Sequence, residues 1–190
     1  MASWMEVTRE SEHGLPTMLV QAVGIATAMC VCELVSAPLM VDAASGAFNV
    51  LPWFLVACLF AVAFTYTVGF ALLWAVDSFT HRLEGKSRAW MPMAYALAGG
   101  AGFCVWGYAV YPAVINAILV PVGHDALSQN VALSIGANCA IAGMVSFFLG
   151  SSVASRFAER KAIVAVAGGI GIVLAILGGI VLWLTLTHVA

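Results

Sequence analysis

Charge is what this sequence has least of: 8% of its 190 residues are Asp, Glu, Lys or Arg, against about 25% in soluble domains. Such a chain has too little polar surface to face water on all sides. With 63% hydrophobic residues and a mean hydropathy of +1.05, it reads as a membrane protein. A net charge of −2 gives no electrostatic reason to bind nucleic acid, and none is expected as a partner. Long polar stretches are also lacking. The connectors between apolar runs are too short to fold as a second domain, so any chemistry lies inside the bilayer or at its faces.

Catalytic and cofactor signatures are missing as well. The sequence contains no Walker A run, no G-x-S-x-G, no H-E-x-x-H and no Rossmann glycine fingerprint. The five cysteines form no C-x-x-C pair, and their odd number precludes complete pairing within the chain. Cys30 and Cys32 sit two apart on a predicted helix and so do not share a face. His124-Asp125 offers two adjacent residues in a turn, short of the three or four convergent ligands a metal needs. No enzyme activity, metal or cofactor is expected.

Basic residues are absent from one side altogether. Five apolar stretches are each long enough to cross a bilayer, which takes about 20 residues: residues 17–41, 50–76, 91–120, 131–154 and 162–187. Arg9 then lies in the N-terminal tail, Arg82, Lys86 and Arg88 in one connector, and Arg156, Arg160 and Lys161 in another. The other two connectors and the C-terminus carry none. Because Lys and Arg resist translocation, the basic segments are expected in the cytoplasm, with the N-terminus inside and the C-terminus outside. Both basic connectors read as interfacial anchors on anionic headgroups. The tail before residue 17 has Glu6, Glu10 and Glu12 against one arginine, unlike the basic start of a signal peptide, so the first span is expected to be retained.

The expected fold is therefore an all-α bundle of five transmembrane helices, with residues 1–16 as a cytoplasmic tail and 17–190 as one membrane domain. The lipid bilayer is its first partner, with a membrane-protein partner or a second copy also compatible. Abundant Ala, Gly and Val suit a bacterial cytoplasmic membrane. Trp53 and Trp183 are expected at the outer headgroups, Trp74 and Trp90 at the inner ones. The third span exceeds the hydrocarbon thickness, and Pro112 is the expected place for a kink.

Helix association in lipid relies on close backbone approach at small residues. Four-residue series supply it: Ala57, Ala61, Thr65 and Gly69; Ala142, Ser146, Gly150 and Ala154; Ala167, Gly171, Ala175 and Gly179. Ala98-Gly99-Gly100-Ala101-Gly102 is echoed by Ala167-Gly168-Gly169-Ile170-Gly171. Read as a repeat, the echo makes spans two–three and four–five a tandem pair of hairpins, as in many transporters. The same pattern also arises because Gly and Ala are common in membrane helices.

Glu33 is the acidic residue set deepest in a span. A charge near the bilayer centre costs about 2.5–3.5 kcal/mol. The eight Leu, Ile and Val residues between Met18 and Met40 offset roughly 2–5 kcal/mol. With so thin a margin, Glu33 is expected either protonated or facing a polar partner in the bundle. Together with Asn116, Tyr111, Tyr108 and Asp125, joined by Asp42, His124 and Asn130, it outlines a vestibule open to the outside. That reading makes the chain a permease or the membrane-embedded subunit of a small-solute transporter. The alternative assigns each polar side chain one interhelical hydrogen bond in a non-transporting scaffold, assembly factor or complex subunit.

Overall fold

The computed structural model describes residues 15–44, 49–80 and 90–189. Among them the chain forms five long helices and no strand. Helix α1 is Thr17–Ala43. Helix α2 runs through Val50–Phe64, a π-helical turn at Thr65–Gly69, and Phe70–Thr80. Helix α3 is Met91–Leu119, α4 is Gln129–Phe157 and α5 is Lys161–Val189. All five contain a stretch long and apolar enough to cross a membrane. The protein is a multi-pass integral membrane protein.

The second span reaches Phe79, past the expected end at residue 76, because Asp77 and Ser78 stay helical at its rim. Its π-helical turn was not legible in the apolar pattern; such turns insert one residue and recur at functional positions. Helix α3 is continuous from Met91 to Leu119 with Pro112 inside it. Its surplus length extends into a 3-10 turn, Val120–Val122, closed by Gly123 at φ 88. That left-handed geometry is open to glycine without the usual steric cost. Helix α4 then begins on Ser128, whose hydroxyl accepts the amide hydrogen of Val131 at 3.4 Å.

Helices α1 to α4 enclose the core. The broadest contacts join α3 to α4, α1 to α4 and α2 to α5, whereas the sequence neighbours α4 and α5 scarcely touch. Glycines set the closest approaches. A methyl group on Gly99 would run into the Phe147 ring, and one on Gly107 into the Cys139 thiol. On the facing helix, one on Gly143 would meet Phe103 at 2.9 Å. Gly100 sits against Met144 in the same seam, Gly69 against the Phe64 carbonyl, and Gly150 carries α4 onto Ile25 and Gln21 of α1.

The outer helix α5 is attached differently. Only 17% of its apolar window is buried, against 39 to 50% in the other four. A methyl group on Gly171 would lie 4.0 Å from Val62, an ordinary contact, and one on Gly179 would meet nothing within 4 Å. The close approach belongs instead to Gly178, which abuts the backbone carbonyl of Leu55. One residue is about 100° around a helix, enough to turn Gly179 away from α2. The two glycine-rich copies differ likewise: Gly99 and Gly100 are buried in the α3–α4 seam, while Gly169 is open.

Trp74, Trp90 and Trp183 are exposed on the bundle surface, as an interfacial belt requires. Trp53 departs from that expectation. At 3% exposure it is turned into the core, packing edge-on against Tyr111 with ring centroids 5.9 Å apart.

Candidate functional site

Glu33 lies on the inward face of α1, one turn after Met29 and one turn before Ala37, both 0% exposed. Its own exposure is 0%. Tyr111 of α3 reaches it across the core, and the phenol donates to Glu33 Oε1 at 2.8 Å. Tyr111 is in turn held by Phe60, Phe103 and Trp53, with ring centroids 5.1, 6.3 and 5.9 Å away. This aromatic collar explains why Tyr111 can hold one rotamer and present its hydroxyl to one oxygen.

The second carboxyl oxygen is different. Among the described residues, Glu33 Oε2 is buried and has no hydrogen-bond partner. Buried polar atoms are nearly always satisfied, so an orphan oxygen inside a membrane bundle asks for an occupant. The Ser36 hydroxyl donates to the Glu33 backbone carbonyl at 3.4 Å and also lies close to the carboxyl itself. A phenol and one loosely placed hydroxyl are too little to stabilise a naked carboxylate in an apolar interior. A proton on Oε2, or a cation placed there, would complete the site.

The backbone around this pair is irregular in three places. Pro38 follows Glu33 within α1, and Pro112 follows Tyr111 directly. Each lacks the amide hydrogen that a carbonyl four residues earlier would accept. The π-helical turn of α2 begins at Thr65, which is fully buried, donates to Ala61 O at 2.8 Å and sets its hydroxyl 3.5 Å from Met29 Sδ. Met29 is the α1 residue one turn from Glu33. Two helices that each lack one backbone donor, and a third with a π-helical turn, thus surround the carboxyl.

The expected vestibule divides. Glu33 and Tyr111 meet; the others do not join them. Asn116 Oδ1 accepts the amide hydrogen of Leu127 at 2.8 Å, tying the α3–α4 connector to the end of α3. Tyr108, three residues before Tyr111, is 43% exposed on the outside of the bundle. Asp125, His124 and Asn130 are exposed in or beside the connector, and Asp42 is exposed at the end of α1. Helix geometry separates Asn116, about 140° around α3 from Tyr111, while Tyr108 is about 60° away, just past the edge of the buried face.

Arg156, Arg160 and Lys161 are exposed around the α4–α5 junction, where an anchor would be. Arg82, Lys86 and Arg88 lie outside the described residues. Sequence reasoning did not single out Asp77 and Tyr95, which pair across α2 and α3 at the opposite end of the bundle from Glu33. The Tyr95 hydroxyl donates to Asp77 Oδ1 at 3.5 Å. Ending the second span at residue 76 hid this pair. Ser146 belongs to the four-residue series of small residues on α4. It is fully buried, with its hydroxyl 4.0 Å from the Cys32 thiol.

Comparison with protein-family models, curated proteins and solved structures finds no match to this chain.

Proposed function

We propose that this membrane protein is a small permease, or the membrane-embedded subunit of a small-solute transporter, in which Glu33 takes up a proton or a small cationic solute. The observation that carries the reading is the unpartnered Oε2 of a carboxyl that is 0% exposed. Intramembrane acids are costly and mark ion or proton pathways more often than they serve as packing. Access to so closed a site requires helix movement. Pro38, Pro112 and the π-helical turn give α1, α3 and α2 weak points at its level, much as broken helices line transporter sites. In this reading the protein sits in a bacterial cytoplasmic membrane with both basic connectors inside, so Glu33 lies in the outer half of the bilayer.

A second reading, a non-transporting scaffold or complex subunit, draws on a separate observation. Asn116 serves the connector and Tyr108 faces outward, so two expected members of a solute site are used elsewhere. Purified protein in liposomes separates the two. With a potassium gradient, valinomycin and an internal pH dye, the wild type should carry proton-linked flux, Glu33→Asp should retain part of it, and Glu33→Gln should abolish it at equal abundance. No flux from the wild type under proton or cation gradients, together with loss of co-purifying proteins in Glu33→Gln, would replace the first reading with the second.

A further inference from the structure

Apart from the Glu33–Tyr111 pair, the most reactive side chains buried in the bundle are thiols. Cys30 of α1 and Cys58 of α2 belong to one small cluster with Ala26, Val62 and Ala175, where α1, α2 and α5 meet. Both are free thiols, brought into that one buried cluster from two different helices. The remaining three thiols lie outside this cluster. Cys32 turns toward Ser146 of α4 at 4.0 Å, Cys139 packs against Gly107 of α3, and Cys104 is on α3. Cys30 therefore shares its cluster with a cysteine 28 positions along the chain, on another helix, and not with Cys32.

We propose that Cys30 and Cys58 are a redox-modifiable pair, closed into a disulfide between α1 and α2 by a membrane-soluble two-electron oxidant of the quinone class. Two S–H bonds break and one S–S bond forms. The two electrons and two protons reduce the quinone to its hydroquinone. The position suits a lipophilic reagent better than an aqueous one. Cys58 is fully buried, but Cys30 keeps 7% exposure, and the helix beside the pair is α5, the one least embedded in the bundle. Exchange and oxidation depend on access as much as on intrinsic thiol reactivity.

The bond would have a mechanical effect. Cys30 precedes Glu33 by three residues and so lies on the neighbouring strip of the same helix. A disulfide to Cys58 fixes that turn of α1 against α2 and restrains the movement by which the carboxyl becomes accessible. This consequence rests on the transport reading; the pairing does not.

The test uses the full chain in lipid nanodiscs, treated with decylubiquinone or diamide, then alkylated, digested and mapped by mass spectrometry. The wild type should lose two alkylatable thiols and yield a peptide joining residues 30 and 58. Cys30→Ser and Cys58→Ser should each keep every remaining thiol, while Cys139→Ser should still form the bond. If all five cysteines are alkylated after both oxidants, or the bond maps to another pair, the assignment is overturned. In liposomes, oxidation should slow flux by about tenfold or more, as closure of a gate does. Dithiothreitol should restore it, and Cys58→Ser should be indifferent to oxidant. A mapped 30–58 disulfide with unchanged flux overturns the mechanical consequence. Absence of flux in the reduced protein removes the transport reading, and the disulfide map still decides the pairing.

Discussion

The Tyr111 hydroxyl and the Glu33 carboxyl, 78 residues apart in the chain, meet at 2.8 Å with neither residue exposed. The contact joins α3 to α1 through the centre of the bundle. It also leaves the carboxyl asymmetric, with one oxygen held and the other unpartnered among the described residues.

Tyr111→Phe removes the donor and keeps the ring. Leaving a buried polar group without its partner costs about 1–3 kcal/mol, and thermal unfolding in detergent should register that loss. A double-mutant cycle with Glu33→Leu is the sharper measurement. The phenol loses its acceptor in that background, so Tyr111→Phe should become close to neutral. Equal effects in both backgrounds would mean that the bond contributes nothing.

Gly178 and Gly179 make a matched pair of substitutions. Gly178→Ala places a methyl group on the Leu55 carbonyl, whereas Gly179→Ala places it in open space. Overpacking a helix contact costs about 1–3 kcal/mol. Gly178→Ala should loosen α5 from α2, lowering the thermal midpoint and increasing alkylation of Cys58. Gly179→Ala should match the wild type in both assays.

Asn116→Ala should act on the connector and spare the carboxyl. Its Oδ1 satisfies the Leu127 amide, a bond with a net value of about 0.5–1.5 kcal/mol. Hydrogen exchange should rise over residues 120–128 with little change in flux. A collapse of flux comparable to that of Glu33→Gln would return Asn116 to the solute site.

The orientation has a direct assay. In a cysteine-free background, Asp125→Cys should react with a membrane-impermeant maleimide added to intact spheroplasts. Ala162→Cys should react only after lysis. The opposite pattern would invert the bundle and place Glu33 in the inner half of the bilayer.

Hydropathy and length made the five helices legible, since a membrane span requires a long apolar run whatever its neighbours are. Glu33 was legible for the same reason: one acid stands out in an apolar stretch. Its partner was only partly so. Tyr111, Tyr108 and Asn116 looked equivalent by depth, and a side chain's direction around a helix depends on which face packs inward. Apolar residues on every side of these helices erase the amphipathic signal that would reveal that face. The shared cluster of Cys30 and Cys58 was hidden for a related reason, because it depends on which helices are neighbours. The Gly178–Gly179 assignment turned on a rotation of one residue, finer than a four-residue small-side-chain pattern resolves.

The π-helical turn at Thr65–Gly69 divides α2 into two lengths with different rotational phase. Its extra residue acts like a washer in a threaded joint, setting the angle at which the lower half is seated. Removing Val68, which is exposed, would return the helix to regular winding, and because the turn already absorbs one extra residue, everything beyond it would keep nearly its present phase. Asp77 would still meet Tyr95, with Cys58 and Phe60 in place on the other side of the turn. The same deletion in the regular winding on either side would instead turn the far end by about 100°, so the π-helical turn is where α2 can lose a residue and keep both ends of the bundle seated.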